Sequence, residues 1–388
     1  MKARRLVFFL LMPVFLLAGL YTGLRIWYLL LLTQMLLLLA ILALNLWTVR
    51  TFAYTQTLEE PTVVKGGETE LRLSLRNEKP FPLSMMRMRV ALAGPGEEKE
   101  LSFSLLPFSG REFAFPVSAP YRGVYPLGIT TLEITDIFGL LPMAFDMRRF
   151  PFYRQPELTV LPRAQAPAYA REDVADEKLF GDRYLLASSE GSGISGARAY
   201  RPGDPLRQLH WKKSAQRGEL FVRQYEQPAR EDLTLLMDNG LHGAEGETAL
   251  ALADTLCEAA ACFALHCLKR GRSAILLALG DTGGVREVEE ALEAEDLPRL
   301  LDWLARLPFG TVVPDRPFPL EHAREGSALM VLTGRVSPEL EAQLVQVAPY
   351  FSAVTLVLAG EEGETEGTLP RISLPLGCDV AAELAARA

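Results

Sequence analysis

Cysteine is scarce, with four residues in a chain of 388. Cys257, Cys262 and Cys267 fall within one expected helix and Cys378 stands far away, which argues against a disulfide framework and for buried thiols in a reducing compartment. No Gly-Lys-Ser or Gly-Lys-Thr follows the glycines 191, 193 and 196, so these read as a loop rather than a phosphate cradle, and an ATPase motor is absent. No Ser or Cys nucleophile is set beside a base by a recognisable motif. A net charge of −8, with no recurring aromatic-basic platform, argues against nucleic-acid binding. No cofactor is implied. The first apolar run also lacks a small-residue cleavage pattern before a second begins, which favours a membrane anchor over a secretory leader.

Two long apolar runs are present at the start. Leu6 to Leu24 and Ile26 to Thr48 are separated by Arg25 alone. Each is long enough to cross a hydrocarbon core of roughly 30 Å as a helix. The spacing predicts a hairpin over residues 1–50, in contact with the lipid bilayer through residues 6–48. Lys2, Arg4 and Arg5 before the first run and Arg50 after the second favour both termini, and with them the soluble domains, on the cytoplasmic side of the membrane. Tyr21, Trp27, Tyr28 and Trp47 suit the interfaces, and Gln34 and Asn45 are candidates for contact with the other helix or a partner.

Residues 51–160 carry apolar residues at a period of two. Leu71, Leu73 and Leu75 alternate with Arg72, Ser74 and Arg76; Met86, Met88 and Val90 repeat the pattern, as do Phe113, Phe115 and Val117. Short strands punctuated by Gly, Pro and Asn turns predict an all-β immunoglobulin-like sandwich without a disulfide. Phe81, Pro82, Met85 and Met86 are read as core, with an exposed edge as the alternative.

Residues 231–388 change period. Continuous apolar strands at 233–238, 273–279, 328–333, 353–359 and 372–376 alternate with helices at about 247–269, 286–307 and 338–347, the second of them interrupted by Pro298. This alternation predicts an α/β doubly wound domain with a mainly parallel sheet covered on both faces. Asp238 ends the first strand, where such sheets bind ligands. It is a weak candidate metal ligand, because Gly240 and His242, two and four positions on, supply no hydroxyl.

The segment between, 161–230, holds the densest polar constellation. From Arg198 to Arg223 it contains seven Lys or Arg and two acidic residues around Pro202-Gly203. Arg198 and Arg207 could clamp a carboxylate or phosphate, Asp204 could pair with an arginine, and Trp211 could stack on one. A structural or partner-docking network is the favoured reading; a hydrolase using Asp204 and His210 is the alternative, and acidic lipid headgroups are a further target for the basic face.

Arg198, Tyr200, Gly203-Asp204, Arg207, His210-Trp211 and Arg223, with Arg122-Gly123-Val124-Tyr125 and the run from Asp136 to Leu140, resemble the bacterial membrane-associated family called domain of unknown function 58. The resemblance implies a membrane-tethered protein with a β module and a von Willebrand factor type A-like domain. It also implies association with a separate AAA+ ATPase of the MoxR type. Related type A domains carry a metal site of the form Asp-x-Ser-x-Ser, of which only Asp238 remains in this chain.

Overall fold

The structure is a computed structural model describing residues 2–94, 96–136, 138–166, 194–199, 214, 218, 221–225, 232–279, 285–310, 327–360 and 369–387. It divides into two compact units, Met1–Val160 and Leu161–Ala388.

The first unit opens with α1 (Lys2–Thr22) and α2 (Arg25–Arg50). Gly23, at φ +64, reverses the chain between them. Gly19 has a packing role: a Cβ there would stand 3.0 Å from the Tyr28 ring, so a larger residue would make that ring shift. Gln34 Nε2 donates to the Phe8 carbonyl and so bonds the other helix. Asn45 instead reaches out of the hairpin, its Nδ2 donating to the Leu141 carbonyl at 3.2 Å. Both helices are long and apolar enough to cross a membrane, and only 6% and 17% of their most apolar stretches are buried. These two helices fit a membrane anchor.

The rest of this unit is β-sheet. Its strands are β1 (Ala53–Leu58), β2 (Thr62–Val64), β3 (Glu68–Arg76), β4 (Leu83–Ala91), β5 (Glu98–Leu105), β6 (Gly110–Ser118), β7 (Gly123–Pro126), β8 (Gly128–Thr135), β9 (Met143–Asp146) and β10 (Glu157–Leu161). They form sheets ordered β1-β3-β6, β2-β10-β7 and β5-β4-β8-β9. The period of two has its physical basis here: Leu71, Leu73, Leu75, Met86, Met88 and Val90 are fully buried in one core, and the arginines between them face solvent. Met86 is therefore core, whereas Met85 is 46% exposed. Val49 and Phe52, at the end of α2, belong to that same core, so the hairpin is built into the sheet module.

In the second unit, β11 (Ile194–Ala199) and β12 (Phe221–Tyr225) pair antiparallel. The main sheet contains β13 (Leu233–Met237), β14 (Ala274–Leu279), β15 (Val285–Ala291), β16 (Ala328–Thr333), β17 (Ala353–Ala359) and β18 (Arg371–Leu374), in the order β15-β14-β13-β16-β17-β18. All neighbours are parallel except β15, which runs antiparallel along the edge beside β14. The helices are α3 (Gly246–Lys269), α4 (Leu297–Arg306), α5 (Pro338–Val347) and α6 (Val380–Arg387). One core joins the sheet to α3, α4 and α6; a second, around Leu236, Val331, Leu340 and Leu344, lies on the opposite face. Burial on both faces is why these strands are apolar without alternation. Although α3 is itself apolar enough to span a membrane, 83% of its most apolar stretch is buried, and it is a core helix.

The expected helix over 286–307 is corrected. Residues 285–291 form strand β15, and helix begins only at Leu297. Val285-Arg-Glu-Val-Glu-Glu-Ala places four charged residues on an edge strand, where charge also blocks edge-to-edge association. Pro298 does not interrupt a helix; it occupies the first turn of α4, where its missing N–H costs nothing.

Candidate functional site

The sheet's strand order reverses direction between β13 and β16, and doubly wound sheets offer ligands a crevice at such a switch point. Asp238 directly follows β13 and Thr333 ends β16. The Asp238 N–H donates to the Leu332 carbonyl at 2.8 Å, locking the two strand ends together.

The Asp238 side chain is buried and heavily engaged. Its Oδ1 accepts from the Gly240 N–H at 3.1 Å. Its Oδ2 accepts from the Thr333 hydroxyl at 2.7 Å and is 2.7 Å from His242 Nε2. A threonine has one hydroxyl proton, and donation to the carboxylate is the charge-assisted choice. The Thr333 oxygen in turn accepts from the Arg335 N–H at 3.1 Å.

His242 reaches this position through an uncommon backbone, φ +48. Its loop is pinned to residues 308–310: Asn239 Nδ2 donates to the Pro308 carbonyl at 2.9 Å, and the Leu241 N–H to the Gly310 carbonyl at 2.8 Å. Gly334 gives the cluster room, since a Cβ there would lie 2.9 Å from the Leu252 side chain of α3 and 3.5 Å from the His242 ring.

Three in-chain donors thus occupy the carboxylate that a metal would need. His242 fills the place where the Asp-x-Ser-x-Ser pattern puts its second serine. A cation at Asp238 would have to displace His242 or Thr333, and among the described residues no group of three His, Cys, Asp or Glu side chains is placed to hold a metal. Nor does the cluster make a nucleophile, because Thr333 is fully buried. Its chemistry is that of a latch between two strand ends.

The central constellation is described only at its flanks. Arg198 lies on β11 and Arg223 on β12, with Arg198 opposite Val222 and Ala197 opposite Arg223. The two ends of the motif are therefore neighbours across an antiparallel pair. Gly218, at φ +72, donates its N–H to the Ser214 carbonyl at 2.9 Å, as a glycine ending a helical turn does. Tyr200, Gly203, Asp204, Arg207, His210 and Trp211 lie outside the described residues, and with them the alternative catalytic pair.

Sequence reasoning missed the polar residues within α3. Asp254, Glu258 and His266 are all buried, at 1%, 2% and 7% exposure, and each has an interaction partner. With Cys262 they follow a four-residue spacing along the helix. The available signal was the presence of ionisable residues in an otherwise apolar helix. Burial pushes the Cys262 thiol up to about 11 and also raises Cys378, so neither is an activated nucleophile.

Residues 196–289 match the family described as "Protein of unknown function DUF58". The chain is similar to "Uncharacterized protein YeaD" of Bacillus subtilis (strain 168), at 24% identity over 255 residues, or 64% of this chain. It spans about 61% of that relative's length. Among solved structures, the CARDB domain of a Pyrococcus furiosus protein in complex with di-metal ions matches 28% of this chain and 93% of that domain, at 14% identity and a TM-score of 0.21. The sporulation control protein Spo0M of Bacillus subtilis matches 39% of this chain and 58% of its own, at 10% identity and a TM-score of 0.18. At such TM-scores neither likeness bears on fold or function. The family match takes in Arg198, Gly203-Asp204, Arg207, His210-Trp211 and the strand that leads to Asp238, and it is over residues 196–289 that the chain is similar to this family.

Proposed function

We propose that this protein is a non-enzymatic accessory or scaffold subunit, tethered to the inner membrane by its helical hairpin, that presents its α/β unit to a cytosolic AAA+ ATPase of the MoxR type. In this reading both termini and both sheet-bearing units are cytoplasmic, the β module is immunoglobulin-like and the α/β unit is von Willebrand factor type A-like. The complex serves the assembly or regulation of a cell-envelope or other protein complex.

The observation that carries the proposal is the closed cluster at the switch point. The position where an α/β sheet ordinarily offers ligand-binding groups is satisfied internally by Thr333, His242 and the Gly240 N–H. That favours a surface for protein contact over a pocket for chemistry. Two further features support it: Val49 and Phe52 continue the hairpin into the sandwich core, as a rigid tether requires, and the arginine-rich segment supplies docking groups.

The test is crosslinking in intact cells followed by affinity purification of the full chain, with an unrelated two-span membrane protein as control. Enrichment of an AAA+ ATPase over the control is the expected result. Its absence, with only the control's background recovered, would remove the proposal's basis.

A further inference from the structure

Three connections of the β module emerge at one pole. The register pairs Arg76 with Gly110, Leu83 with Leu105, Met85 with Thr135 and Ile134 with Met143. The loops 77–82 and 106–109, and residues 136 and 138–142, therefore leave the strands on the same side. The hairpin is fastened to that side as well. Lys79 Nζ donates to the Thr48 carbonyl at 3.2 Å, the Trp47 and Phe81 rings lie 5.6 Å apart, and Arg5 Nε donates to the Gly139 carbonyl at 2.6 Å.

This pole displays large apolar side chains that a wet surface would not favour. Leu106 is 72% exposed, Phe108 70% and Phe138 56%. They are held out by built loops. Asn77, itself buried, donates through Nδ2 to the carbonyls of both Phe81 and Leu106, tying two of the loops together. Phe108 adopts φ +52, a costly conformation for an aromatic residue. Asp136 accepts from the N–H groups of Phe138 and Leu141, shaping the third loop.

Depth is set by the hairpin. Phe138 and Leu140 share a groove with Arg4, Val7, Phe8, Leu11 and Leu37. Leu11 lies nine residues into α1, about 13 Å along its axis, inside the apolar run. Arg4, Arg50, Arg76 and Arg111 are exposed near this end, against Glu78 and Glu112.

We infer that this pole is a second membrane contact. Leu106, Phe108 and Phe138 enter the boundary between headgroups and acyl chains of the bilayer that the hairpin crosses, and the surrounding arginines meet anionic lipid phosphates. The inference rests on the membrane reading of the hairpin and is independent of any ATPase partner. It makes the sandwich a base plate lying on the membrane rather than a bead on a string.

The test uses the full chain with Cys378→Ser, reconstituted in vesicles containing anionic phospholipid. Single cysteines replace Leu106, Phe108 or Phe138, with Glu97→Cys at the opposite pole and Leu17→Cys in the hairpin as controls, each carrying an environment-sensitive fluorophore. The expected result is blue-shifted emission at 106, 108 and 138, quenched by nitroxide-bearing lipid as at 17, while 97 is quenched by aqueous iodide. Iodide quenching at 106, 108 and 138 alongside lipid quenching at 17 would overturn the inference and leave the anchor intact. Protection from both quenchers would also overturn it, because a protein would then cover the pole. Absence of lipid quenching at 17 would instead overturn the anchor itself.

Discussion

Asp238, Thr333 and His242 form a unit whose worth can be measured one side chain at a time. Thr333→Val keeps the shape and deletes the donor to a buried carboxylate. It is expected to destabilise the α/β unit by about 1.5–3 kcal/mol, the range for a hydrogen bond to a charged group. Hydrogen exchange at the amides of β13 and β16 should report the loss locally. Lys79 provides a test of a different kind. Burial lowers its ammonium pKa from the ordinary 10.5. The unfolded chain then binds more protons than the folded one between the lowered value and 10.5, so stability rises with pH across that window. Lys79→Met should flatten the rise, as read from thermal unfolding of the two chains across that range. Cys262 and Cys378 titrate the other way. Their thiols are raised above the ordinary 9.0, so the stability they contribute is full below pH 9 and declines above it. Accordingly, Cys257, Cys262 and Cys267, all buried, should resist alkylation at pH 8 until the chain is unfolded, as mass spectrometry of the labelled protein would show.

Elements bring these side chains together through contacts that allow little slack. α5 begins with Ser337 accepting from the Leu340 N–H, and Pro338 sits in its first turn. Gly334, between β16 and that cap, has no space for a methyl group beside Leu252. Gly334→Ala should therefore cost about 1–3 kcal/mol by overpacking, and Leu252→Ala in the same chain should return part of that loss, a coupling that a double-mutant cycle in chemical denaturation would measure. The strand pattern of the β module could be read from Leu71 to Arg76 because one face is wet and the other buried, which writes a period of two into the residues. Strand β15 could not be read that way: an edge strand rich in Glu carries the same composition as an exposed helix, and only its pairing with β14 decides between them. At Asp238 the position was legible from the end of an apolar strand, and so was the loss of the serines. The latch was not, because Thr333 lies 95 residues away and His242 needs a left-handed backbone to reach the carboxylate. Asp254 and Glu258 escaped for a similar reason, since a periodicity argument registers the apolar majority of α3 and passes over its buried charges.

At the scale of the whole molecule, two apolar helices that fit a membrane anchor precede the sheet-bearing parts of two compact units. The anchor is not a free leash: Val49 and Phe52 lie in the sandwich core, and Lys79 and Asn45 bond across the junction. Removing the Lys79 contact should loosen the junction without releasing the chain from membranes, which proteolysis of the segment around Arg50 in reconstituted vesicles would reveal. The proposed function has the α/β unit contact a partner protein while Asp238 serves as an internal latch between β13 and β16. The most direct measurement is a titration of the full chain, reconstituted in nanodiscs, with the MoxR-type ATPase of the same cell, comparing the unaltered protein with Asp238→Asn. Saturable binding that survives this substitution is the expected result, because Asp238 holds two strand ends together and does not face the partner. Absence of binding, or binding abolished by Asp238→Asn while the fold is retained, would contradict it.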